Sequence, residues 1–182
     1  MNTSSIRIIG GRNKSYRIVF KASPVLRPTS DRAKETLFSW LQFELQNKSC
    51  LDLFAGTGGL GLEALSRGAE HVTFVEKEKI LYKNILKNVT HLGYEKKIQV
   101  ICSDAFKWLQ INKRKFDLIF LDPPYDQLNY QSLLKTIYES GLIREGGKVF
   151  LETSKHTELE FSKTQNILKD KTIGDVRLII LQ

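Results

Sequence analysis

Four acidic residues, each at or just after the end of an apolar run, are the side chains of this sequence best placed to do chemistry. They are Asp52, Glu76, Asp104 and Asp122. A single acid in such a place could simply cap the helix that follows it. Acids after successive strands of a parallel sheet would instead line one crevice, because ligands bind at the carboxyl ends of such strands. The pattern therefore predicts one binding site built from four strand ends.

The segment LDLFAGTGGLG at 51–61 carries a glycine motif between a predicted strand and a predicted helix. Gly56, Gly58 and Gly61 match the spacing G-x-G-x-x-G, which is typical of nucleotide-cofactor sites. A carboxylate inside the strand, Asp52, needs a partner and would repel a pyrophosphate. The sulfonium and amino groups of S-adenosylmethionine (SAM) are both positive. The motif therefore favours SAM over a nicotinamide cofactor.

Two more strand ends fit the same cofactor. Glu76 ends the second strand, where an acid would bind ribose hydroxyls. Asp104 follows the third strand, where its carboxylate can accept a hydrogen bond from the adenine amino group. The residues predicted from this part of the chain to bind SAM are Asp52, Phe54, Gly56, Gly58, Glu76, Lys77, Asp104 and Ala105.

The stretch IFLDPPYD at 119–126 joins an acid, two prolines and an aromatic ring to the end of an apolar run. Proline has no backbone N–H to donate, so Pro123 and Pro124 would stop the strand at Asp122. Tyr125 then presents a ring close to that carboxylate. By itself, so short a motif could be only a turn that ends a strand.

The elements that must position these residues alternate along the chain. We predict strands over 49–54, 71–75, 98–101, 116–121 and 147–152, with helices over 59–68, 78–91, 104–111 and 130–140. Such alternation indicates an α/β fold with a parallel sheet covered on both faces. Residues 6–9 and 16–20 form a predicted hairpin, and 165–172 with 175–181 a closing pair of strands.

A predicted helix follows the hairpin. Ser30 or Thr29 can cap its start. Its apolar stripe consists of Ala33, Leu37, Phe38, Leu41 and Leu45.

Positive charge is concentrated at the start of the chain. Of the formal +8 carried by all 182 residues, residues 1–35 hold +6, from eight Lys or Arg and two acids. Clustered positive charge is the footprint of a nucleic-acid binder, whereas a merely soluble surface does not require the clustering.

No run is apolar and long enough to span a bilayer or to act as a secretory signal. Cys50 and Cys102 lie in strand-like segments, so we expect reduced core thiols in a cytoplasmic protein. The histidines and cysteines show no metal-ligand spacing, and no metal is expected.

Taken together, the glycine loop, Glu76, Asp104 and the Asp-Pro-Pro-Tyr turn resemble the class I SAM-dependent methyltransferases that act on exocyclic or amide nitrogens. The segments IRIIGG (6–11), LRPTSDRAKETLFSWL (26–41), LEALSRGA (62–69) and IGDVRL (173–178) are similar to the RsmD family, whose members methylate guanine N2 of 16S rRNA. The resemblance covers nearly the whole chain.

This resemblance implies a doubly wound, Rossmann-like class I methyltransferase sheet, mostly parallel, with an antiparallel carboxyl-terminal strand. It divides the chain into a basic hairpin extension, 1–25, and a methyltransferase domain, 26–182. The implied partner is 16S rRNA or the small ribosomal subunit particle, and the protein is expected to be a monomer.

Roles for individual residues follow from the same resemblance. The implied catalytic residues are Asp122, Pro123, Pro124 and Tyr125. The Asp122 carboxylate and the Pro123 carbonyl would accept the two protons of a planar amine and aim its lone pair at the methyl group, while Tyr125 stacks on the base. Thr29 would lie near SAM. The residues expected to contact RNA are Arg27, Arg32, Arg12, Lys14 and Tyr125.

Other functions remain open from the residues alone. The same Asp-Pro-Pro-Tyr turn would serve adenine N6 or a glutamine amide. A non-catalytic RNA-binding module with this fold would have no need for both the turn and the glycine loop. A nicotinamide oxidoreductase fits the glycines but not Asp52.

Overall fold

A central sheet positions every strand end discussed above. The structure is a computed structural model, and it describes residues 3–21, 29–123, 129–162 and 165–182. Its strands are β1 (Thr3–Arg7), β2 (Arg17–Lys21), β3 (Ser49–Asp52), β4 (His71–Glu76), β5 (Ile98–Cys102), β6 (Phe116–Leu121), β7 (Ile143–Ser154), β8 (Ile167–Ile173) and β9 (Val176–Leu181). Its α-helices are α1 (Asp31–Trp40), α2 (Gly59–Ser66), α3 (Lys79–Leu92), α4 (Ala105–Ile111) and α5 (Tyr130–Glu139).

The strand order in the seven-stranded sheet of the described residues is β5-β4-β3-β6-β7-β9-β8. The first five of these strands are parallel, and β9 runs antiparallel between β7 and β8. This order confirms the predicted fold class. β7 begins at Ile143, earlier than expected, and its register against β6 shifts between Phe116 and Leu118.

Alternation along the parallel strands builds two apolar layers. Leu51, Ile119 and Leu151 face one cluster of buried side chains, which α4 and α5 cover. Cys50, Phe120 and Phe150 face the other cluster, which α1, α2 and α3 cover. Helices therefore cover both faces, as the strand–helix alternation predicted.

The predicted amino-terminal hairpin is present as the antiparallel pair β1–β2. Ile8 and Ile18 are buried in the same apolar cluster as the residues of α1. A Cβ on Gly59 would lie 2.7 Å from Ile6, and a Cβ on Gly11 would lie 2.0 Å from the Ser66 carbonyl. The hairpin therefore runs along α2 from its first turn to its last. The predicted domain boundary at 25 lies outside the described residues.

The two cysteines lie in different environments. β4 separates β3 from β5, so Cys50 and Cys102 are two strands apart, and both are free thiols. Cys50 is buried as predicted, but the prediction that Cys102 is a core residue was wrong, because it lies exposed at the end of the edge strand β5. Among the helices of the described residues, none is long and apolar enough to cross a bilayer.

Candidate active site

Four carboxylates project from one face of the sheet at the carboxyl ends of four adjacent strands. In the sheet register, one row of paired residues crosses β4, β3, β6 and β7. It consists of Phe74, Asp52, Phe120 and Phe150. Side chains two residues apart on a strand share a face. Glu76, Asp122 and Glu152 each lie two residues beyond one of these phenylalanines, so they line the same edge as Asp52. The register thus brings Asp52, Glu76 and Asp122 to one edge, whereas Asp104 lies two residues beyond Cys102, the partner of Glu76.

Asp52 is the most deeply placed of the four carboxylates, with only 2% of its surface exposed. Its Oδ2 accepts a hydrogen bond of 3.0 Å from the amide of Gly61, in the first turn of α2. Burial raises the pKa of Asp52 to about 7, the Gly61 amide opposes this, and the nearby Glu76 charge adds to it. The positive end of the α2 dipole thus faces the carboxylate.

The glycine loop binds directly to Glu76. The amide of Gly56 donates to one carboxylate oxygen of Glu76 and the amide of Glu78 donates to the other, each at 2.7 Å. Burial raises the pKa of Glu76, and these two hydrogen bonds oppose the increase. Gly58, at φ 79°, begins α2 in the left-handed region that favours glycine. Loop and acid therefore form one rigid unit.

Asp122 is held from a distant part of the chain. The Thr29 hydroxyl donates a hydrogen bond of 2.9 Å to Asp122 Oδ2. Ser30, not Thr29, caps α1, since its hydroxyl oxygen accepts from the Ala33 amide. Thr29 is thereby free to face the crevice. Burial raises the pKa of Asp122 well above its usual range, the Glu152 charge raises it further, and the Thr29 hydrogen bond opposes both.

Glu152 is the functional candidate that the sequence pattern did not single out. It lies on β7 with 3% of its surface exposed. A signal was present, since the predicted strand 147–152 ends on an acid, much as Asp122 directly follows the predicted strand 116–121. It is easily overlooked because no glycine loop, proline or tyrosine follows it.

The remaining predicted cofactor residues follow the ends of β3, β4 and β5. Asp104 caps α4, because its Oδ1 accepts a hydrogen bond of 3.1 Å from the Lys107 amide. Only one of its two carboxylate oxygens is used for this cap. Ala105 is buried and Phe54 is half-buried, both in the apolar cluster beneath α4. The side chain of Lys77 is exposed beyond β4.

The basic residues predicted to contact RNA separate into two places. Arg32 is exposed in the first turn of α1, three residues from Thr29 and therefore near the crevice. Arg12 and Lys14 are exposed in the hairpin turn, and the Arg12 amide donates to the Ser66 carbonyl at the far end of α2. A helix of 8 residues spans about 12 Å.

Arg27, Pro124 and Tyr125 lie outside the described residues, whereas Pro123 is described and buried.

The charge of this crevice suits a cationic ligand. Within the described residues, none of the ion pairs with Lys or Arg involves Asp52, Glu76 or Asp122. Buried negative charges without a cation are costly. A ligand that carries positive charge, such as a sulfonium or an ammonium, would compensate them. An anionic pyrophosphate would be repelled.

Comparison with known proteins agrees with this chemistry. Residues 6–182 match the family model described as conserved hypothetical protein 95. The chain is 36% identical over 180 residues to ribosomal RNA small subunit methyltransferase D of Haemophilus influenzae, covering 97% of this chain and 93% of the relative. It is 31% identical over 181 residues to the protein of the same name from Escherichia coli, covering 99% and 91%.

Solved structures share the architecture. The structure of yhhF of Escherichia coli, described as a proposed methyltransferase, superposes with a TM-score of 0.88 at 29% identity and covers 98% of each chain. SMU.776 in complex with SAH gives a TM-score of 0.70 at 16% identity over 81% of this chain and 48% of the other, which is a likeness of fold alone.

Proposed function

The chain belongs to the RsmD family, whose model is described as conserved hypothetical protein 95, and from this premise we propose that it methylates the exocyclic N2 amine of a guanine in 16S rRNA. The observation that carries the proposal is the Asp122–Pro123 end of β6, fixed by Thr29 beside three further carboxylates. The coarser function is that of a SAM-dependent rRNA methyltransferase. The choice of guanine N2 rests on the similarity of residues 26–41 to that family.

The cofactor is S-adenosylmethionine, which supplies a methyl group on a positively charged sulfur. Asp52, Glu76 and Asp104 would hold it from the ends of β3, β4 and β5. Glu76 would bind the ribose hydroxyls, because each of its oxygens accepts one amide and has a lone pair left. Asp104 would accept from the adenine amino group with the oxygen that does not cap α4.

The target amine would be oriented by Asp122 and the carbonyl of Pro123. A guanine amine is planar, since its lone pair is delocalised into the ring. Two acceptors that bind its two protons favour a tetrahedral nitrogen and direct the lone pair at the methyl group. The Thr29 hydroxyl donates to one oxygen of Asp122, which would leave the other oxygen to accept from the amine.

RNA would bind across the mouth of the crevice through its phosphates. Arg32, exposed in the first turn of α1 three residues after Thr29, would lie there, and Arg27 precedes it in the sequence. Arg binds phosphate with two parallel hydrogen bonds. Arg12 and Lys14 would then contact a more distant part of a large RNA, such as the folded small-subunit RNA or its particle.

The test uses small subunits from a strain in which the gene for this protein is deleted. The purified protein and labelled SAM are added, and the RNA is digested for mass spectrometry. We expect label in N2-methylguanosine from 16S rRNA, with Asp122→Ala protein as the matched control. Label in N6-methyladenosine would refute the guanine assignment, and no label in RNA would refute the rRNA function.

A further inference from the structure

The buried carboxylate on β7, Glu152, lies beside the proposed catalytic carboxylate in the sheet register. Leu121 of β6 pairs with Leu151 of β7, so Asp122 and Glu152 are one step further along the same parallel pair. Adjacent strands lie about 4.8 Å apart, and paired residues project from the same face. Two acids in these positions are neighbours on one face of the sheet, and the charge of Glu152 acts on Asp122.

Glu152 is fixed in place by the sheet. It pairs with Leu178 of β9, so its strand has neighbours on both sides. With 3% of its surface exposed, its charge is shielded from solvent and salt. The interaction between two carboxylates in this setting is strong, because the surroundings screen it far less than water does.

The groups that face Asp122 come from three elements. Glu152 faces it from β7 and Asp52 from β3, and both charges raise the pKa of Asp122. The Thr29 hydroxyl faces it from the segment before α1 and lowers that pKa. Glu76 lies further away, beyond β3. Among the described residues, no Lys or Arg contributes to the balance of charge at Asp122.

We propose that Glu152 is a positioning residue for methyl transfer, whose buried negative charge makes Asp122 the acceptor of the proton that the methylated amine releases. This inference rests on the proposed function, because it concerns the amine that the protein would methylate. Glu152 itself touches neither amine nor cofactor. It acts through Asp122.

The chemical balance shows why a proton acceptor is needed. The lone pair of the amine nitrogen forms the new N–C bond, while the S–C bond breaks and its electron pair stays on sulfur. The nitrogen then carries a positive charge and must lose one proton to give the neutral methylamine. Asp122 accepts this proton and later passes it to water. An isolated aspartate is a weak base at neutral pH, and the charge of the buried Glu152 carboxylate beside it makes it a stronger base.

A titration of the cofactor-free protein tests the coupling without any activity. The protein is labelled with carbon-13 in its Asp carboxyl groups, and Asp122 is assigned by the signal missing in Asp122→Asn. A coupled pair titrates in two steps. We expect Glu152→Gln to remove the upper step and to leave Asp122 titrating about one to two pH units lower. Glu158→Gln, an exposed acid beyond β7, should leave the titration unchanged.

An unchanged Asp122 titration in folded Glu152→Gln protein would overturn the proposal. If Glu152→Gln does not fold, the reciprocal measurement decides. Glutamate carboxyl groups are labelled instead, and Asp122→Asn must lower the titration midpoint of Glu152 by the same amount, because coupling is mutual. No shift there would overturn the proposal equally.

Single-turnover methyl transfer as a function of pH tests the role in the reaction. Glu152→Gln should move the acid limb of the profile to lower pH, because Asp122 ionises more easily. The rate on the plateau should fall roughly three- to tenfold, because a weaker base accepts the proton less well. A lower rate with an unmoved acid limb would reveal a merely structural residue and refute the proposal. Absence of methyl transfer by the unsubstituted protein would contradict the proposed function, and the carboxyl titration would still decide the coupling.

Discussion

Thr29 and Asp122, 93 residues apart in the chain, are joined by a hydrogen bond of 2.9 Å. The bond ties the segment before α1 to the end of β6. The segment next to the basic amino-terminal part of the chain thus directly orients the carboxylate proposed to bind the target amine. A second contact fixes the same region, since the buried Lys34 of α1 donates to the Arg7 carbonyl at 2.6 Å and pairs with Asp31 at 3.1 Å. The hairpin, α1 and the end of β6 are therefore joined by hydrogen bonds.

Thr29→Val should slow methyl transfer about tenfold, because it removes a hydrogen bond to a charged group without changing the shape of the side chain. SAM affinity should stay the same. The hydrogen bond from Thr29 lowers the pKa of Asp122. Its loss should therefore raise this pKa and move the acid limb of the pH–rate profile to higher pH. Single-turnover rates measure both effects. Thr29→Ser, which keeps the hydroxyl, is the control, and equal rates for the two variants would contradict the role.

Asp122→Ala should leave SAM affinity nearly unchanged, because Asp52, Glu76 and Asp104 hold the cofactor. Methyl transfer should fall by orders of magnitude in turnover, with little change in the Michaelis constant for RNA, since the interaction is made mainly in the transition state. Asp122→Asn keeps an acceptor oxygen for the amine but cannot take up its proton, so it should retain only partial activity. Near-normal transfer by Asp122→Ala would mean that the turn only ends the strand.

Glu76→Ala should weaken SAM binding by about 1.5–3 kcal/mol, the range for a hydrogen bond to a charged group. The structure adds a second effect. The amides of Gly56 and Glu78 would lose their acceptor, so the midpoint of thermal unfolding should also fall. Calorimetry with SAM and thermal denaturation measure the two. Glu78→Ala, which removes an exposed acid but keeps its amide, is the control, and unchanged SAM affinity in Glu76→Ala would disprove the assignment.

SAM binding should strengthen as pH rises through about 7, because the pKa of Asp52 is raised to about 7 by burial. Below that pH the carboxyl is neutral and does not attract the sulfonium; above it the carboxylate does. The affinity should change by at most about tenfold per pH unit. Asp52→Asn should flatten the dependence. S-adenosylhomocysteine, whose sulfur is uncharged, should show a smaller slope, and equal slopes for both ligands would contradict the explanation.

Arg32 and Arg12 should differ in the RNA that they recognise, because Arg32 lies in the first turn of α1 near Thr29 and Arg12 lies against the last turn of α2. Arg32→Ala should weaken binding of both a short hairpin that contains the target guanine and the whole 16S rRNA. It should also reduce the slope of log affinity against log salt by about one. Arg12→Ala should affect only the whole rRNA. A loss of hairpin binding by Arg12→Ala alone would reverse the assignment of the two sites.

Much of the fold follows from local sequence pattern, and so does the meeting of three of the acids at one edge of the sheet. Apolar runs that end on Asp52, Glu76 and Asp122 define strand ends, and the helices between them force a parallel sheet. Parallel strands bring their carboxyl ends to one edge, so the order of the elements along the chain is enough to predict that the acids meet. The glycines after Asp52 further defined the loop that binds Glu76.

Other features depended on which segments become neighbours in space. By sequence alone, either Thr29 or Ser30 could cap α1. Only the approach of β6 decides that Ser30 caps the helix while Thr29 binds Asp122. Glu152 gains its importance from the pairing of β7 with β6, and Cys102 is exposed because β5 is the edge strand. The physical reason is the same in each case. Hydrogen bonds, burial and charge coupling act over a few ångströms in space, and local sequence determines such distances only within one element.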